Sequence, residues 1–201
     1  MDDGVIKFDI NWQKGASSEF ASMIELIYWR DRMYELGLIG FDKKYQVGYG
    51  NISCKVSREK SFVISGTQTG HISKLGSEYY TLVTDYNIQR NSLFCKGPVK
   101  ASSESLTHAA IYEANEAIQC IIHIHHDEQW KKLLHSVPTT DGKVAYGTPE
   151  MAFEIKRLFE MENMKSGALI AMAGHQGGLL SFGANFKEAV APYLKLFGSA
   201  D

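Results

Sequence analysis

"CIIHIHH", residues 120–126, closes an apolar run with three of the chain's seven histidines. His123 and His125 alternate around Ile124. On a strand, side chains two positions apart point to the same face, roughly 6–7 Å apart along the chain. The two imidazoles therefore look toward one point. Either each is packed and hydrogen bonded there, or the pair grips a metal ion. Neutral imidazole is a preferred ligand of Zn²⁺ and other borderline cations, and histidine is an uncommon choice for a strand core. "IQCIIHIH" (118–125) thus reads as a strand whose end carries chemistry.

Outward from this strand the pattern alternates between helices and short apolar runs. "SSEFASMIELIYWRDRMYELGLIG" (17–40) predicts a helix starting at Ser17 or Ser18. Its apolar stripe would be Phe20, Met23, Ile24, Ile27, Met33 and Leu36, with Gly37 or Gly40 ending it. "NISCKV" (51–56) and "SFVIS" (61–65) predict a hairpin across "SREK", and "YYTLVTDYN" and "SLFC" predict two more strands. "SSESLTHAAIYEANEA" (102–117) predicts a helix with a serine cap and Glu104 in its first turn. "TPEMAFEIKRLFEME" (148–162) predicts another, capped by Thr148. "GALIAMAG" (167–174) and "GLLSF" (178–182) predict strands, and "NFKEAVAPYLKLF" a final helix. Helices interleaved with adjacent strands imply an α/β fold: a three-layer αβα sandwich around a central mixed, mainly antiparallel sheet. No repeat or linker divides the sequence, so residues 1–201 read as a single domain whose first sixteen or so residues form an irregular arm.

Bulk composition narrows the function classes. Of 201 residues 44% are apolar and 22% charged, as in ordinary globular chains. The 21 basic and 23 acidic residues are interspersed. No basic stripe points to nucleic acid or a membrane surface. The cysteines, Cys54, Cys95 and Cys120, are odd in number and lack CxxC spacing, which predicts reduced thiols rather than a disulfide framework. The acidic start "MDDGVIKFDI" has no long apolar stretch, and a cytoplasmic location is expected.

A catalytic metal needs a third protein ligand and an open position. His175, in the Gly-rich stretch "AMAGHQGGLLSFG", follows another apolar run and is the best candidate. His71 and His135 lie in polar, loop-like contexts. His108 follows Glu104 by four residues, which puts them on one helix face. In "KASSESLTH" (100–108), Ser102 and Ser103 present hydroxyls and amides at a helix start, an arrangement suited to phosphate. Glu104 is either an ordinary dipole-complementing acid or a carboxylate held beside the metal. "GYGNIS" (48–53) and "GTQTG" (66–70) are turns that, with the serine pair, could wrap a phosphate through amides and neutral side chains. Neither GxxxxGK[ST] nor GxGxxG occurs, so no nucleotide P-loop or dinucleotide site is indicated.

Taken in order, "GNIS", "TG" followed by "KL", "SSE", "HIH" and "GHQGG" resemble the class II (zinc) aldolase/adducin head family over about residues 17–197. The family includes sugar-phosphate aldolases, epimerases, dehydratases and decarboxylases. The resemblance implies that His123, His125 and His175 hold Zn²⁺, with Mn²⁺ or Co²⁺ as alternatives. It implies Glu104 as catalytic acid/base, and Asn51, Thr69, Gly70, Ser102 and Ser103 as a phosphate pocket. The implied substrate is a small phosphorylated sugar or sugar acid, cleaved through a metal-stabilised enediolate. The implied assembly is a homotetramer with sites at subunit interfaces. Two departures bear on the reaction. The family often has "HHG" where this chain has "GHQGG", and its aldolases use a tyrosine after the HxH strand and another near the C-terminus. Tyr146 and Tyr193 lie near those places without a motif match. Aldolase, decarboxylase, dehydratase and epimerase readings therefore stay open, as does a non-catalytic adducin-like assembly module.

Overall fold

The computed structural model of the chain describes residues 5–17, 19–56, 59–162 and 164–198. In chain order the elements are β1 (Asp9–Lys14), α1 (Met23–Glu35), β2 (Gly40–Asp42), β3 (Val47–Tyr49), β4 (Asn51–Lys55), β5 (Phe62–Ser65), β6 (Tyr80–Asn87), β7 (Ser92–Gly97), α2 (Ser105–Ala114), β8 (Cys120–His125), α3 (Asp127–Leu133), α4 (Pro149–Glu162), β9 (Leu169–Ala171), β10 (Gly178–Gly183) and α5 (Phe186–Phe197). Among the described residues, eight strands form one sheet in the order β1-β7-β6-β5-β4-β8-β10-β9, and β2 and β3 form a separate hairpin. In the large sheet only β1 with β7 is parallel; the other pairings are antiparallel.

The apolar run of β8 is explained by burial on both faces. β8 lies between β4 and β10. Ile121 joins a core cluster containing Leu106 and Ala110 of α2 and Ile155 of α4. Ile122 and Ile124 join a second cluster containing Leu26 of α1 and Val190 of α5. Helices thus cover both faces, which gives the expected three layers with a mainly antiparallel sheet. Each fully buried Ile or Leu contributes roughly 1.5–3 kcal/mol. By the two-residue period, His123 shares the α2 face with Ile121. No helix among the described residues is long and apolar enough to cross a membrane.

Three expectations about elements change. The helix expected from Ser17 or Ser18 begins at Met23; Ser18 lies outside the described residues. Ser22 occupies the cap position in a helical conformation (φ −81°, ψ −3°) and makes no side-chain cap bond. Its hydroxyl instead lies 3.3 Å from the Cys54 sulfur. The buried stripe is Met23, Leu26, Arg30 and Met33, so Ile24 is left 83% exposed. A buried arginine takes a place that an apolar count assigns to its neighbours. Gly37 ends the helix with φ +72°, a conformation a side chain would strain.

The N-terminal arm is not irregular throughout. Residues 9–14 form β1 in parallel register with β7, and the Trp12 indole donates to the Gly97 carbonyl at 3.0 Å. An edge strand with one wet face carries only a weak apolar signal. Finally, α2 begins at Ser105, and Glu104 sits at its N-cap position rather than in its first turn. The Ser105 amide and hydroxyl donate to the Ser102 carbonyl at 3.1 and 2.7 Å, and this turn moves the start of the helix past both serines.

Tyr193 of α5 ties the helix to the sheet. Its hydroxyl lies 3.0 Å from the Ile122 carbonyl and 3.1 Å from that of Leu179, with no solvent exposure. Tyr193→Phe leaves buried carbonyls without this donor and is expected to lower stability by about 1–2 kcal/mol. Urea unfolding checks it: the midpoint falls with the slope unchanged, whereas an unaltered midpoint contradicts the tie.

Candidate active site

β4, β8 and the β9–β10 turn meet at one place because their register brings them there. Asn51 pairs with His123 across β4 and β8, and His125 pairs with Gly178 across β8 and β10. His175 lies in the turn between β9 and β10, its carbonyl accepting from the Gly178 amide at 2.9 Å. Gly178 permits this approach. A Cβ there would come 2.7 Å from the His175 ring and 3.2 Å from the His123 ring. All nine residues expected at the site line a single cleft: Asn51, Thr69, Gly70, Ser102, Ser103, Glu104, His123, His125 and His175.

The three imidazoles converge through Nε2. His125 Nε2 is 3.0 Å from both His123 Nε2 and His175 Nε2. Glu104 Oε2 lies 2.8 Å from His123 Nε2, and Oε1 lies 3.5 Å from His175 Nε2. His123 Nδ1 faces the Leu179 carbonyl at 3.1 Å, and His125 bonds to the Gln176 backbone. A carbonyl only accepts, so the outer nitrogen of His123 carries a proton, and both rings are oriented with Nε2 inward.

Burial pushes His175 down to about 4 against the attraction of Glu104, and pushes His125 well below the ordinary imidazole range. Burial pushes Glu104 up, but the surrounding His123, His175 and His125 outweigh it and hold the carboxyl well below the usual carboxylate range. Imidazole nitrogens gathered around an ionised carboxylate are a ligand set of the kind that divalent cations take. The ligand atoms of His123, His125 and His175 all lie within 4.8 Å of one another, so this group could hold a metal ion. Asn51 Nδ2 donates to Glu104 Oε2 at 3.1 Å and fixes the carboxylate.

The remaining candidates separate cleanly. Ser102 and Ser103 are buried at the cleft wall, with the Ser102 hydroxyl accepting from the Glu104 amide at 3.3 Å. Thr69 donates to the Gly66 carbonyl at 2.9 Å and closes the 66–69 turn. Gly70 permits the turn to pack: a Cβ there would lie 2.0 Å from the Gly40 carbonyl. His108 does not join the imidazole cluster. It is fully buried beneath it, bonded through Nδ1 to Ser53 Oγ at 2.7 Å, and Ser53 bonds on to Tyr112. Burial pushes it down to about 3. His71 bonds to the Gln68 carbonyl outside the cluster. Tyr146 lines the cleft, its ring 4.5 Å from that of His175, whereas Tyr193 is committed to the core.

Other residues at or behind the cleft carry little or no sequence signal. Tyr49 lines the cleft with its ring 5.6 Å from that of His125. Arg30, 1% exposed, donates to the Thr69 and Ser73 carbonyls at 3.1 and 3.0 Å and pins the loop after β5. A charged residue within a helical run reads as a solvated face; only packing shows that it points inward.

The profile of the class II aldolase and adducin N-terminal domain family matches residues 31–196. The chain belongs to this family. No curated protein matches it in sequence. Among solved structures, it is similar to an L-fuculose 1-phosphate aldolase at 18% identity, covering 93% of this chain and 92% of that one with a TM-score of 0.63. YgbL of Klebsiella pneumoniae, a candidate aldolase/epimerase/decarboxylase, aligns at 17% identity over 87% of this chain and 84% of its own, with a TM-score of 0.63. A sugar-phosphate aldolase of Thermotoga maritima aligns at 16% identity over 84% and 89%, with a TM-score of 0.61. At these identities the likeness is one of fold.

The depressed imidazoles give this family member a pH signature. Below the ordinary value of 6.5 an unfolded chain takes up protons that native His175 and His108 refuse until about 4 and 3. Stability of the metal-free protein therefore falls as pH drops from 6.5 toward 4. Urea midpoints at pH about 7 and about 5 measure this, and equal midpoints contradict buried neutral rings.

Proposed function

We propose that this protein is a zinc-dependent lyase acting on a phosphorylated sugar or sugar acid, with aldolase-type C–C cleavage as the leading reaction. The observation that supports this most is the meeting of three imidazole Nε2 atoms and an ionised carboxylate at the end of a cleft whose other wall is built of neutral donors. His123, His125 and His175 would hold the cation, with Mn²⁺ or Co²⁺ as alternatives to Zn²⁺ because affinity alone discriminates poorly. When bound, it supplies Lewis acidity toward the negative charge that develops beside a breaking bond.

The chain's own residues supply the rest. Glu104, held ionised and oriented by Asn51, accepts a proton at its carboxylate and returns it. Thr69 and Gly70 of the turn after β5, with Asn51, Ser102 and Ser103, take the phosphate through amides and hydroxyls. Binding energy gathered there, away from the reacting carbons, orients the substrate. The Arg30 anchor keeps that turn in place. The whole of residues 1–201 acts in this reading as one class II aldolase-type domain, in a cytoplasmic homotetramer with sites at subunit interfaces.

A second reading, a decarboxylase, epimerase or dehydratase of the same fold, draws support from Tyr193. Its hydroxyl is bound to two core carbonyls and so is not available as an aldolase's C-terminal proton donor. An adducin-like assembly role without chemistry is disfavoured by the intact cluster.

Elemental analysis is expected to find about one zinc per chain, lost in His123→Ala and in His175→Ala. Equal metal in all three proteins removes the basis of the proposal. Glu104→Gln is expected to keep its metal while turnover falls roughly 10²–10⁴-fold. The products formed from ketose phosphates and from 3-oxo sugar-acid phosphates separate cleavage from decarboxylation.

A further inference from the structure

Cys54 and Cys120 are direct partners across the antiparallel pair β4–β8. Both are buried thiols in the core cluster on the α1/α5 face. One step along the ladder, the Lys55 amide donates to the Gln119 carbonyl at 2.8 Å. Hydrogen-bonded and non-hydrogen-bonded pairs alternate in an antiparallel ladder, so Cys54–Cys120 is a non-hydrogen-bonded pair. The Ile52 amide fits this, since it donates away from β8 to Ser65 Oγ at 3.2 Å. In such pairs the Cα atoms lie about 4.5 Å apart and the side chains approach most closely, at the short end of the disulfide range. Cys95, also buried, sits on β7 opposite Val83 and has no such partner.

We propose that Cys54 and Cys120 form a reversible cross-strand disulfide, an oxidative modification site that staples β4 to β8 directly behind the histidine cluster. The oxidant is a peroxide. One thiol sulfur attacks a peroxide oxygen, the O–O bond breaks, and a sulfenic acid and one water result. The second thiol sulfur attacks the sulfenic sulfur, the S–S bond forms, the S–O bond breaks, and a second water leaves. Two thiols lose two electrons and two protons, and one peroxide is reduced to two waters. Neither strand has to slide, because the register already opposes the two residues.

The same two strands carry Asn51, which pairs with His123, and His125. Asn51 and His123 are three residues from the cysteines and so project from the opposite face of the sheet. The staple therefore fixes the strand register under the site while leaving the cleft face untouched. Access is gated: the start of α1 lies over the pair, with the Ser22 hydroxyl against the Cys54 sulfur. Burial also pushes the Cys54 thiol up to about 11 and raises Cys120. Both features make oxidation slow, on the scale of hours, and make the reduced thiols inert to brief exposure.

Intact purified protein incubated with millimolar hydrogen peroxide and then alkylated after denaturation tests this. The expected result is one alkylated cysteine, Cys95, in place of three, and a linked peptide joining the Cys54 and Cys120 segments that is two hydrogens lighter than their sum. Dithiothreitol restores all three thiols. Cys95→Ala leaves the crosslink intact, and Cys120→Ala or Cys54→Ala removes it. Three free thiols after prolonged exposure, sulfinic acid at either position, or a crosslink that includes Cys95 or joins two chains overturns the proposal. The wild-type peptide map decides it even where a cysteine variant fails to fold.

Discussion

Three buried imidazole nitrogens and a carboxylate crowd one point at the end of the central strand, and the surrounding structure is what keeps them together there. His123 Nδ1 faces the Leu179 carbonyl and His125 bonds to the Gln176 backbone, which turns both rings inward. Burial disfavours charging His125 and His175. Such a group could hold a metal ion. The nearby elements can be understood by how they hold the four side chains at that point.

The holding is done mostly by backbone register. A strand buried on both faces needs apolar residues at nearly every position, and β8 supplies them on both sides of the sheet. Only His123 and His125, close to its end, interrupt the run. β4 and β10 fix the backbone of β8 from either side, and the bond from His123 Nδ1 to the Leu179 carbonyl orients its ring. The β9–β10 turn then needs only to present His175, and the missing side chain at Gly178 is what lets two rings lie over the backbone. Glu104 is fixed separately, by the turn that starts α2 and by the Asn51 amide.

Family membership and reaction are carried by different parts of the molecule. The chain matches the class II aldolase and adducin N-terminal domain family over residues 31–196, and neighbours under 20% identical share the fold. In the proposed reading, the choice among bond cleavages depends on which groups donate protons around the substrate. Tyr146 and Tyr49 stand in the cleft and Tyr193 does not. In that reading these placements, more than the cluster, would decide between aldol cleavage and its alternatives.

Much of this was legible in residue order. The apolar run of β8, the HxH spacing, the Gly-rich turn around His175, the Thr148 cap and the alternation of helices and strands all express short-range rules, with periods of two or 3.6 residues and local turn chemistry. The sequence therefore determined the three layers and the residues that gather at the cleft. Tertiary structure alone decided the rest. It turned Arg30 inward to hold the 66–73 loop and left Ile24 outside. It set β1 beside β7, placed Tyr146 against His175 and Tyr193 in the core, and brought Cys54 opposite Cys120. Each of these depends on contacts between segments tens of residues apart, and local periodicity contains no information about which distant backbone carbonyl, ring or strand a side chain will meet.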